Sequence, residues 1–76
     1  MGHFTDFLLV PNSEILKLIS ENISGKNAER DRKILRRRLI DGITFERLGE
    51  EFELSTNHVK RIIYTRETEL MRHFNK

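Results

Sequence analysis

Apolar residues recur along this chain at helical rather than strand spacing. After Pro11, Ile15, Leu16, Ile19 and Ile23 fall three or four apart and predict one buried stripe. Asn12 or Ser13 stands before them as an acceptor for the free amides of a first turn, and Ser24-Gly25-Lys26 supplies a glycine stop. A second stripe, Ala28, Ile34, Leu35 and Leu39 with Ile40 at its margin, predicts a helix capped by Asn27 and closed by Asp41-Gly42. Its first turn holds Glu29 and Asp31, where the helix dipole favours acids. Thr44 then caps a short helix whose Phe45, Leu48 and Phe52 point inward with Gly49, although Arg47 stands where a capping box has glutamate. Ser55 caps a last helix running to about Arg72, with Val59, Ile62, Ile63, Leu70 and Phe74 on its core face. The pattern predicts an all-α fold: a four-helix small domain over residues 12–76 with a C-terminal helix-turn-helix at 44–66, after an irregular N-terminal arm at 1–11.

The last two helices, joined by about three residues, meet a positional test. In a twenty-residue helix-turn-helix unit counted from Phe45, the fourth, eighth, tenth, fifteenth and eighteenth residues hold the helices together. They are Leu48, Phe52, Leu54, Val59 and Ile62, all apolar. The fifth position, where the helices approach most closely, is Gly49, and the ninth, often glycine, is Glu53.

Composition bounds the rest. A chain of 76 residues buries only about 60% of its unfolded surface, enough for one core. It has no cysteine, so neither a disulfide framework nor a thiolate metal site is available, as suits a reducing cytoplasm. No apolar run is long enough to span a bilayer and the start MGHFTDFLLVP lacks a signal-peptide pattern, so the expected location is cytoplasmic, with no membrane partner. Net charge is only +2, but its sign is segregated. Residues Asn27 to Ile43 carry six Lys/Arg against three acids, Leu54 to Arg66 carry three against none, and Phe45 to Glu53 carry four glutamates and one arginine.

That distribution gives the last helix, 55–72, two faces. Projected at about 100° per residue, the arc adjoining the core face holds Thr56, Asn57, Lys60, Arg61 and Tyr64. A hydroxyl, an amide, two long cations and a phenol without a carboxylate are the groups that contact bases and phosphates in a major groove. Thr56, Asn57, Lys60 and Arg61 are therefore the candidate base and groove contacts on double-stranded DNA. Ser55, Tyr64, Arg36 and Arg37 are the candidate backbone contacts. Arg36, Arg37 and Arg38 cannot all face one way, and those turned from DNA are expected to pair with glutamates such as Glu46 or Glu50.

The run from Arg30 to Phe74 resembles region four of the sigma-70 family of bacterial transcription initiation factors. The elements that carry the likeness are the turn at Asp41-Gly42, TFERLGEEFELS at Thr44 to Ser55, and TNHVKRI at Thr56 to Ile62. Helix-turn-helix domains of the LuxR type share much of the pattern. The resemblance implies a DNA-binding transcriptional regulator whose base-reading positions are Thr56, Asn57, Lys60 and Arg61. Thr56 and Asn57 stand where sigma factors commonly have Arg and Glu, and the chain is expected to lack a domain for upstream promoter elements. It is similar in that respect to stand-alone regulators of phages and mobile elements.

Other chemistries find no support. His3, His58 and His73 do not form a metal spacing, there is no glycine-rich phosphate loop and no nucleophile-base arrangement, so no enzyme, cofactor or metal is expected. The rival reading is a protein-interaction module binding RNA polymerase or another regulator. It is motivated by the acidic helix Phe45 to Glu53 and by the apolar arm Phe4, Phe7, Leu8, Leu9 and Val10, which also suits a homodimer.

Overall fold

A computed structural model describes the backbone from Val10 to Phe74 and the side chains from Val10 to Arg72. Phe4, Phe7, Leu8, Leu9, His3 and His73, and the core role expected of Phe74, lie outside the described residues. Within them the chain forms four helices and no strand: α1 (Asn12–Asn22), α2 (Ala28–Leu39), α3 (Phe45–Phe52) and α4 (Thr56–Phe74). The expected all-α, four-helix architecture is what forms.

All four helices feed one core. Ile15 and Ile19 of α1, Ile34 and Leu35 of α2, Leu48 of α3, and Val59, Ile62, Ile63 and Leu70 of α4 are buried, together with Ile23 just past α1. Each such side chain stabilises the fold by about 1.5–3 kcal/mol relative to exposure. The long α4 is the spine, packing against each of the other three helices. Phe45, Phe52, Leu54, Ala28, Leu39 and Ile40 seal the margins. Leu16 departs from the predicted stripe and is 41% exposed. Ile15 and Ile19 already fill the inward side of α1, and Leu16, one residue on, is turned about 100° away from Ile15.

The caps follow the sequence in part. Thr44 Oγ1 accepts from Arg47 N at 3.1 Å and Ser55 Oγ from His58 N at 3.1 Å, as their positions predict. At Gly42, in the left-handed region with φ +70°, nested bonds from Gly42 N to Arg38 O and from Ile43 N to Arg37 O close α2. Three expectations need correction. Asn12 and Ser13 do not cap α1: both lie inside its first turn, and the Pro11 carbonyl accepts from Glu14 N and Ile15 N instead. Asn27 does occupy the cap position of α2, but through a left-handed backbone (φ 65°) that asparagine tolerates, not through a side-chain bond. Gly25 does not stop α1, which already ends at Asn22 with Ile23 extended. Its φ of +92° serves the connecting turn, where its carbonyl accepts from Ala28 N.

Two polar links fix α2 across the bundle. Arg32 donates to the Ile23 carbonyl at 2.6 Å, holding the loop after α1. Asp31, only 4% exposed, accepts from Arg66 Nε at 2.9 Å and from Arg30 Nε at 3.0 Å. The acid expected to serve the helix dipole is thus the centre of a largely buried ion pair joining α2 to α4.

Candidate nucleic-acid interface

The geometry begins at the turn between α3 and α4. Gly49 is buried in α3, and a Cβ built on it would lie 2.6 Å from the Leu54 carbonyl oxygen. Gly49 O also accepts from Leu54 N at 2.8 Å and from the amide of Glu53. Glu53 takes a left-handed conformation, φ 59° and ψ 45°, at the position where related turns often use glycine. The turn therefore brings the two backbones into direct contact and fixes where α4 starts.

From that start, α4 presents its expected polar arc. Val59, Ile62 and Ile63 are buried, whereas Asn57, Arg61 and Tyr64 are exposed and Thr56 and Lys60 are half-buried. Among the described residues the Asn57 and Arg61 side chains make no hydrogen bond or ion pair. No acid lies in the first turn of α4. Further along the helix, Glu67 is buried and Glu69 pairs with Arg66 at 3.0 Å. Ser55 spends its acceptor on capping, leaving its hydroxyl proton available to donate beside the free amides of the helix N-terminus.

One ring organises the flank of this arc. Tyr64 meets Phe45 edge to face, with centroids 6.1 Å apart and planes at 75°. Lys60 Nζ lies 5.7 Å from the centre of the same ring, and the Arg38 guanidinium 4.2 Å from it. Arg38 also donates to the Ile43 carbonyl at 2.9 Å. Phe45 is thus both a margin of the core and a platform that gathers two cations and a phenol from α2 and α4. Arg38 was not among the expected contacts. Its sequence signal was no different from that of Arg36 or Arg37, since only the packing of α2 on α3 selects which of the three reaches the ring.

The other two arginines turn elsewhere. Arg36 and Arg37 line a groove with Leu16, Lys33, Ile40, Asp41, Glu51 and Phe52, to which none of the described side chains of α4 contributes. Arg37 grips Glu51 through two nitrogens, Nε to Oε2 at 3.0 Å and Nη2 to Oε1 at 3.1 Å, and reaches Asp41 at 3.2 Å. The glutamate partner is Glu51, neither Glu46 nor Glu50. Hydrogen bonding to Glu51 is the main reason that the Arg37 pKa is raised. Arg36 is exposed and makes no such pair among the described residues. Arg66, counted among the positive charges of the recognition segment, faces inward to Asp31. Among the described residues no group of His, Asp or Glu is arranged to hold a metal ion, and no helix is long and apolar enough to cross a membrane.

Against this geometry, the family Sigma-70, region 4 matches residues 28–65, half of the chain. The chain belongs to that family. The region 4 match runs from the start of α2 through the outward arc of α4, and so contains the twenty-residue helix-turn-helix unit counted from Phe45. Region 4 domains are non-enzymatic and bind DNA in transcription. No curated protein and no solved structure matches the chain. The region 4 match leaves out α1 and the last part of α4, yet α1 supplies Ile15 and Ile19 to the core and α4 beyond the match supplies Leu70.

Proposed function

We propose that this chain is a DNA-binding transcriptional regulator whose α4 enters the major groove with its N-terminal half. The observation that carries the reading is the outward arc of α4, where exposed, unpartnered Asn57 and Arg61 stand beside Lys60 and Tyr64 with no carboxylate among them. Thr56, Asn57 and Arg61 face base edges. Lys60 and Tyr64, drawn to one side by Phe45, approach a phosphate strand together with Ser55 and the first amides of α4. Arg37 is engaged by two carboxylates, so of the two arginines on the groove side Arg36 is the better placed to meet phosphate.

The test is binding to duplex DNA over a range of salt. Each lost phosphate contact weakens all sequences alike and flattens the salt slope by about one. Lys60→Ala is expected to do this, and the double variant with Arg61→Ala to lose most binding while keeping its helical spectrum. Unchanged binding by that double variant would refute the assignment.

The groove between α1, α2 and α3 favours a second reading, contact with a protein such as RNA polymerase or a second copy of the chain. Exposed Leu16 and half-buried Ile40 and Phe52 form its apolar part, with Lys33 and Arg36 exposed at its edge. Leu16→Glu is expected to leave DNA binding intact and abolish such an association. A light-scattering mass that stays monomeric at high concentration would remove self-association.

A further inference from the structure

The two unpartnered side chains at the pole of α4 differ in what they recognise. Asn57 and Arg61 are four residues apart, so they lie about 40° from one another on the helix surface and about 6 Å apart along its axis. Tyr64 shares that outward arc, while Val59, Ile62 and Ile63 are buried on the opposite side. An amide held over base edges pairs in two-pronged fashion with adenine N6 and N7, and a guanidinium with guanine O6 and N7. Cytosine is read by a carboxylate that accepts from N4, and the pole offers none. Neither side chain has to break a bond to another described residue to reach a base, because among the described residues neither makes one.

We infer that the preferred site of this protein holds an adenine read by Asn57 and a guanine read by Arg61, within about two base-pair steps of each other. The spacing follows from the helix rise, since about 6 Å covers nearly two steps of about 3.4 Å. The inference rests on the DNA-binding reading above and adds to it the identity of two bases and of the residue responsible for each. Lys60 does not compete for a base, because its ammonium leans over Phe45 on the flank of the arc.

The experiment is selection of a randomised duplex by the purified full chain, followed by affinities for the selected duplex and for each single-base variant of it. Asn57→Ala is expected to lose the adenine preference alone, by roughly five- to hundredfold, and Arg61→Ala the guanine preference alone by a similar factor. Arg61→Lys keeps the positive charge but not the planar fork, so it should retain the salt slope and keep a guanine preference weaker than that of the wild type. Both positions are exposed, and an unchanged helical spectrum confirms that each variant folds. A selected site that lacks the adenine and guanine pair, or whose base preferences survive both alanine variants, overturns the inference and leaves DNA binding standing. Failure of the folded wild-type chain to bind any duplex at low salt overturns the DNA-binding reading itself.

Discussion

Replacing Gly49 by alanine tests the turn on which the interface is built. The added methyl would sit 2.6 Å from the Leu54 carbonyl oxygen, a backbone atom that cannot rotate away. Ordinary carbon-oxygen contacts are about 3.3 Å or longer, so the start of α4 must retreat by roughly 0.7 Å. The same retreat stretches the 2.8 Å bond from Leu54 N to Gly49 O. Overpacking of this kind costs roughly 1–3 kcal/mol, and a backbone obstacle places Gly49→Ala at the upper end. Alanine recovers about 1 kcal/mol through its better helix propensity, leaving a net loss of about 2 kcal/mol. In a domain this small that is a fall of about 8–16 °C in Tm, read by thermal melting of the helical signal. The sign is decisive, because an unobstructed glycine inside a helix is stabilised by the same substitution. A Tm equal to or above that of the wild type would show that the two backbones do not touch as described.

Four further outcomes follow from the polar links. Asp31→Ala strands Arg66, whose side chain is 13% exposed; breaking buried pairs typically costs about 3–5 kcal/mol, and because Arg66 keeps Glu69 the expected loss is about 2–3 kcal/mol by denaturant titration. Burial opposes the charge on Arg66, but its bonds to Asp31 and Glu69 outweigh that and raise its pKa. A raised pKa gives a contribution that is complete below the unfolded value and disappears only as pH rises through the folded one, so Arg66 should confer the same stability from mild acid to mild alkali. Glu51→Gln, by contrast, loosens an exposed pair and should change stability by less than about 1 kcal/mol, with any effect vanishing in high salt. Ser55→Ala removes the cap of α4 and should cost about 1 kcal/mol in chemical denaturation.

What the sequence made legible was local. The spacing of Leu48, Phe52, Leu54, Val59 and Ile62, the small residue at Gly49 and the hydroxyl caps at Thr44 and Ser55 depend on neighbours within one or two turns, and all take the expected positions. The fates of the charged side chains were not legible, because their partners are remote. Asp31 meets Arg66 from 35 positions away and Arg37 meets Glu51 from 14. No periodicity encodes those meetings, so a cation of the recognition segment proved internal and one arginine of a run of three joined an aromatic platform. Leu16 shows the same limit on the apolar side, since a stripe defined only by spacing includes residues at its edge that no neighbouring helix covers.

The ion pair between Asp31 and Arg66 also has a mechanical meaning. It clamps α4 behind its reading end, and Asn57 projects roughly 14 Å forward of the clamp. A tilt of about 10° at the clamp would swing Asn57 by about 2 Å, well outside the 2.7–3.2 Å window in which a hydrogen bond to a base keeps its strength. On the proposed reading, the Asp31–Arg66 pair sets the pointing accuracy of the side chains assigned to base edges, and loosening the clamp should blur sequence discrimination before it unfolds the domain.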